Sequence, residues 1–217
     1  MRKWLTRFFT ALLTGYVFVY FSEMSFWTRP LVSVVWPGII GNWLAYSLAA
    51  YVFLGVVGAA QPQRWASVFL CGALFGWLVE GVLVATMYED LPLSISFTGL
   101  AWHALLTVGI GWYLLPRALR ASFWAFTGWC TVVGAGLGFW AMTWWFEPGL
   151  QKTSLPLFAT LITLHTLVLG IVYVLLGRVA PTTMRLSWGE WVVLLAGVVA
   201  WFAFLTVPGV PLALFIL

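Results

Sequence analysis

Residues 155–177 read LPLFATLITLHTLVLGIVYVLLG, a run of 23 positions without Asp, Glu, Lys or Arg that Arg178 closes. About 20 apolar residues in a helix cross the roughly 30 Å of hydrocarbon in a bilayer, so this stretch reads as a transmembrane helix. Working outward, six further runs of the same kind lie between charged or Pro/Gly punctuation. They cover 4–22, 39–60, 65–87, 97–115, 122–146 and 190–207, the last followed by an apolar tail broken by Pro208 and Pro211. The expected fold is all-α: one transmembrane domain over 1–217, a bundle of about seven helices.

Composition agrees with that count. The 217 residues are 63% hydrophobic and 18% aromatic, and only 7% are charged. A soluble domain carries about 25% charged residues, so an ordinary water-soluble fold is excluded. Disorder is excluded as well, because it requires low hydrophobicity and high charge. The ten Lys and Arg against six Asp and Glu give a net charge of +4. They are scattered singly between apolar runs and form no stripe that would follow a phosphate backbone, so nucleic acid is not an expected partner. The partner is the lipid bilayer.

The basic residues orient the chain. With the N-terminus inside, Arg2, Lys3, Arg7, Arg64, Arg117, Arg120, Arg178 and Arg185 fall inside, and Arg29 and Lys152 fall outside. Cytoplasmic loops carry the excess of Lys and Arg. Seven spans then place the C-terminus outside, in a membrane of the bacterial inner (plasma) type. Every loop is short, which leaves no room for a soluble catalytic module.

Two stretches carry small residues four apart, Gly72/Gly76 and Gly134/Gly138. Such pairs let helix backbones approach closely, either inside the bundle or against a membrane partner or second copy. Cys71 and Cys130 read as free thiols used as small apolar residues.

Ionisable residues at membrane depth are costly, by about 2.5–3.5 kcal/mol on insertion scales, and point to function. Three fall well inside the expected spans: Glu80, His103 and His165. At 1.5 Å per helical residue they lie about 12, 9 and 15 Å below the outer surface, close enough for one layer. Glu80 and His103 flank a single short hairpin and are the pair expected to touch, since helices so joined are antiparallel neighbours. Asn42 and Thr107 are the supporting polar groups. Glu80 and His103 are the candidate catalytic acid and base. With His165 they also form a candidate metal set for zinc or iron, and two histidines are a candidate haem set.

Bland readings stand beside these. Glu80 also reads as a neutral acid locking a helix contact, His103 as a helix–helix hydrogen bond, and His165 as a satisfied core residue. The His-Glu-x-x-His spacing, a rhomboid-type Ser/His pattern and the paired-glutamate motif of CAAX-processing peptidases are absent. The leading expectation is an intramembrane enzyme acting on a lipid or membrane-embedded peptide. A structural subunit of a larger membrane complex, with or without a pigment or haem, and a small transporter with Glu80 in a proton relay are the alternatives.

Overall fold

A computed structural model describes residues 3–26, 36–149, 152–179 and 184–216. Arg2 and Arg29, which entered the charge argument, lie outside the described residues. Among these residues all regular structure is helical, and seven helices are long and apolar enough to cross a membrane. They are α1 (Lys3–Ser22), α2 (Trp36–Ala60), α3 (Trp65–Leu83), α4 (Leu93–Ala121), α5 (Phe123–Trp145), α6 (Leu155–Arg178) and α7 (Trp188–Gly209). This is the architecture of a multi-pass integral membrane protein.

Helices α3 and α4 depart most from the expected bounds, and both departures bear on the site. Helix α3 ends at Leu83 rather than near 87, because Ala85 takes a left-handed backbone conformation (φ 68°) and turns the chain. The carbonyls freed at that end still need donors in a dry setting. The Tyr88 hydroxyl supplies Gly81 at 2.8 Å, the Thr206 hydroxyl supplies Val82, and the Trp201 indole supplies Leu83 at 3.3 Å. Helix α7 therefore closes the end of α3.

Helix α4 starts four residues before 97 and runs through Pro116 to Ala121. Its stretch Phe97–Leu114 is wound as a π-helix, with the Leu115 amide reaching back five residues to the Ile110 carbonyl. In that register the next amide would bond Gly111, but Pro116 has none to give. The Tyr173 hydroxyl from α6 donates to the Gly111 carbonyl instead, at 2.5 Å. A proline that reads as a helix stop is thus accommodated.

The core forms where the second half of α1 passes between α2, α3 and α4. Val17, Phe18, Val19 and Phe21 are buried there, and the Phe18 ring lies 4.3 Å from Phe75 and 5.2 Å from Phe53. Between helices in lipid the hydrophobic drive is small, so close packing has to hold them. At the α3–α4 crossing Gly76 meets the Gly99 backbone so closely that a Cβ would overlap the Gly99 carbonyl oxygen. Gly72 sits against Ala104 in the same seam. The Gly72/Gly76 face is therefore spent on internal packing, whereas Gly134 and Gly138 face open space.

Helix α7 docks through charge. Arg7 pairs in a two-pronged bridge with Glu190, Nε to Oε1 at 2.7 Å and Nη2 to Oε2 at 2.5 Å. The Tyr51 hydroxyl donates to the same carboxylate at 2.8 Å, and Ser187 closes a capping box on it. The outer faces of α5 and α6 remain exposed and apolar, with Trp124, Phe139 and Leu167 among the bare side chains, as lipid-facing surfaces are.

Candidate functional site

Glu80 lies in the last turn of α3, where Val79–Leu83 is a π-helical segment closed by the Val84 amide on the Val79 carbonyl at 2.8 Å. A π-turn inserts an extra residue and re-aims the side chains around it, and such turns are frequent at functional sites. Here it aims Glu80 at α4. Glu80 Oε1 lies 2.5 Å from His103 Nε2, a short contact between two buried side chains. The pairing expected from the hairpin is present.

Both partners are held further. The Thr86 hydroxyl, folded back by the turn at Ala85, donates to Glu80 Oε2. On the far edge of the imidazole, Nδ1 lies 3.1 Å from the Ser22 hydroxyl, which in turn lies 3.0 Å from that of Thr107. The Phe75 ring meets His103 edge-on at 5.7 Å, and Tyr46 lies against it at 6.3 Å. His103 is 1% exposed, so every polar contact of its ring is with protein.

Beside the pair is a cavity of about 550 Å³, within the usual size range of small-molecule sites. Its wall includes Ser22, Glu23, Glu80, Thr86, Glu89, Asp90 and His103, so four of the six acids of the chain converge on it. Among the described residues no Lys or Arg lines it. The opposite wall is aromatic: Phe97 and Trp102 from α4, with Trp140 and Trp144 from α5. Trp140 lies 5.3 Å from Trp102 and 6.1 Å from Phe97.

Glu23 follows the end of α1, and its Oε1 accepts the Tyr46 hydroxyl at 2.8 Å. Burial pushes its carboxyl pKa above the usual value, with the Tyr46 hydrogen bond opposing that shift.

The other expected residues fare unequally. Thr107 is fully buried in the network through Ser22. Asn42 is exposed and outside the cavity wall; the contribution of α2 comes one turn later, from Tyr46. His165 is not with the pair, because its Nδ1 lies 3.0 Å from the Tyr16 hydroxyl, partway down α1.

The expected metal trio is therefore not assembled. Among the described residues no three His, Cys, Asp or Glu side chains converge on one point as metal ligands would. Glu80 Oε1 and His103 Nε2 are spent on each other, Glu80 Oε2 on Thr86 and His103 Nδ1 on Ser22. The two-histidine haem arrangement likewise finds its histidines on different partners.

Ser22, Glu23, Tyr46 and Thr86 were missed by sequence reasoning. The only signal for them was the adjacent pair Ser22-Glu23 at the end of the first run, which read as simple punctuation. A comparison with protein-family models, characterised proteins and solved structures finds no match to this chain.

Proposed function

We propose that this protein is an integral membrane enzyme that performs acid–base chemistry through Glu80 and His103 on an amphiphilic substrate, a lipid or a membrane-embedded peptide. The observation that carries the reading is the 2.5 Å contact between a carboxylate and an imidazole at the wall of a substrate-sized cavity. In this reading the N-terminus is inside, the cavity opens toward the outer face, and the membrane is of the bacterial inner type.

The roles divide by access. Both line the cavity, but Glu80 is 7% exposed against 1% for His103, so Glu80 is the group assigned to exchange a proton with the substrate. His103 takes up or returns that proton across the short contact, and Ser22 and Thr107 fix its ring. A positioned acid–base group of this kind contributes about 10²–10⁴-fold to rate. Four carboxyl groups, with no Lys or Arg among the described residues of the wall, favour a substrate whose polar end is neutral or cationic, while the aromatic wall accepts its apolar part.

An enzyme is favoured over a proton or ion relay by what lies beneath the cavity. Below Ser22 and His103, the bulk of the interior is the apolar packing of Val17, Phe18, Phe53 and Phe75, and the buried polar groups there, Thr14, Ser47 and Thr107, are hydroxyls with no ionisable side chain among them.

The test is conversion in proteoliposomes. Wild-type protein, Glu80→Gln and His103→Gln are reconstituted in bacterial total lipid, and the lipids are compared by mass spectrometry over time. The expected result is a product that forms with wild type and falls at least about 100-fold in both variants. Unchanged lipid profiles in all three, with folded protein, would sink the lipid-substrate form. The same comparison on embedded peptides would then decide whether the enzyme reading survives.

A further inference from the structure

We propose that a second cavity, at the opposite end of the bundle from Glu80, is a binding site for a phosphate group, carried by an anionic phospholipid head or free in solution. It is independent of the acid–base reading above.

The cavity has a volume of about 350 Å³ and is walled by α1, α4 and α6, with Leu54 from α2. Among the described residues its charge is the reverse of the first: Arg117 and Arg120 line it, and no Asp or Glu does. Neither arginine is ion-paired among the described residues, whereas Arg7 is fully engaged by Glu190. The Arg117 guanidinium lies 3.7 Å from the centre of the Tyr113 ring, which holds it in place without neutralising it.

A second observation comes from α1. Thr14 is part of the same wall, is completely buried, and has a hydroxyl with no hydrogen-bond partner among the described residues. A buried hydroxyl left unpaired is costly, and an incoming acceptor oxygen relieves that cost. Two unpaired guanidiniums and an unspent hydroxyl match the chemistry of a phosphate group, with its charge and several acceptor oxygens. Basic pockets between transmembrane helices hold lipid head groups in this way. Leu54, Trp112 and Leu176 give the remaining wall an apolar character suited to the glycerol and upper acyl chain of a phospholipid.

The experiment measures thermal unfolding of purified full-length protein in a neutral detergent. Inorganic phosphate, phosphatidylglycerol and phosphatidylcholine are titrated separately into wild type, Thr14→Val and Arg117→Gln/Arg120→Gln. A ligand that binds only the folded state raises the midpoint in a saturable way. The expected result is stabilisation by phosphatidylglycerol at lower concentration than by phosphatidylcholine. The half-saturating concentration should rise about tenfold or more in the double variant and about threefold in Thr14→Val. Stabilisation by phosphatidylglycerol alone assigns the group to a lipid head; stabilisation by inorganic phosphate as well assigns it to the phosphate itself. If the double variant does not fold, the single Arg120→Gln, at an exposed position, takes its place. No saturable effect of either anionic probe on wild type, or an equal effect on the variants, overturns the site.

Discussion

The Ser22 hydroxyl lies 3.1 Å from His103 Nδ1, on the ring edge opposite the one that Glu80 occupies. The end of α1 thus fixes the imidazole from behind while α3 engages it in front. Glu80 as a carboxylate accepts from Nε2–H, which leaves Nδ1 as the acceptor for the Ser22 hydroxyl.

Ser22 is a positioning residue on this geometry, because it acts through the imidazole and is itself buried against Thr107. Ser22→Ala should lower turnover about tenfold while leaving KM within about twofold, since it disturbs the proton partner and not the cavity wall's charge. Ser22→Thr, which keeps the hydroxyl, should restore part of the loss. A fluorophosphonate probe should leave Ser22 unlabelled. A covalent adduct there would make Ser22 a nucleophile and change its role.

The two glycine pairs look alike in the sequence and should behave oppositely when filled. Gly76→Ala forces α3 away from the Gly99 carbonyl and should cost about 1–3 kcal/mol, as overpacking does. Gly138→Ala adds a methyl in open space and should fall within about 0.5 kcal/mol of wild type. Thermal unfolding of the two variants side by side measures this. Equal losses would show that the Gly138 face is also packed in the molecule as it exists in the membrane.

That contrast shows what the sequence carries. The spans follow from apolar length alone, which is why α1, α5 and α6 begin and end within a residue or so of expectation. Glu80 meets His103 because a short hairpin forces α3 and α4 together. What depth along a helix does not carry is rotation about its axis. His165 meets Tyr16, six residues along α1 from the Ser22 that meets His103, so the three side chains do not converge. Ala85 turns the chain without a glycine or proline to announce it, and so brings Thr86 onto Glu80 unforeseen. Pro116 reads as a stop because its remedy, the Tyr173 hydroxyl, sits on α6, 62 residues from the Gly111 carbonyl it serves. Ser22, Glu23 and Tyr46 reach the site through packing of α1 and α2, which no local pattern records.

Glu23 gives a pH dependence with a definite sign. Its folded carboxyl pKa is raised above 4.5 by burial, so protonation favours the folded state. As pH climbs past the unfolded value, the unfolded chain ionises first and folding weakens; the loss is complete above the folded pKa. Glu23→Gln removes this loss and keeps an acceptor for the Tyr46 hydroxyl. The unfolding midpoint of Glu23→Gln relative to wild type should therefore increase from about pH 4 upward and then level off. A midpoint difference that stays flat across that range would mean that Glu23 has an ordinary carboxylate environment.

Helix α7 is the least buried of the seven spans, and its attachment rests on few contacts. The Arg7–Glu190 bridge joins its first turn to the second turn of α1, with side chains only 11% and 16% exposed. A charge-assisted bond in so shielded a place is worth more than a surface pair, whose contribution is about 0–1 kcal/mol. Gln at 190 leaves one acceptor oxygen for donors from Arg7, Tyr51 and Ser187 that two carboxylate oxygens now serve, and brings an amide N–H₂ against them. Glu190→Gln should therefore cost about 2–3 kcal/mol, and Arg7→Gln somewhat less, because arginine leaves fewer partners behind. The double variant should cost less than the two losses added together, with a coupling of about 1–2 kcal/mol. Helix α7 also covers the end of α3 through Thr206 and Trp201, so loosening it should reach Glu80. Protease cutting near 180–187 should rise in Glu190→Gln, and turnover should fall with it. Strict additivity of the two losses would show that the bridge contributes little, and that apolar packing alone seats α7.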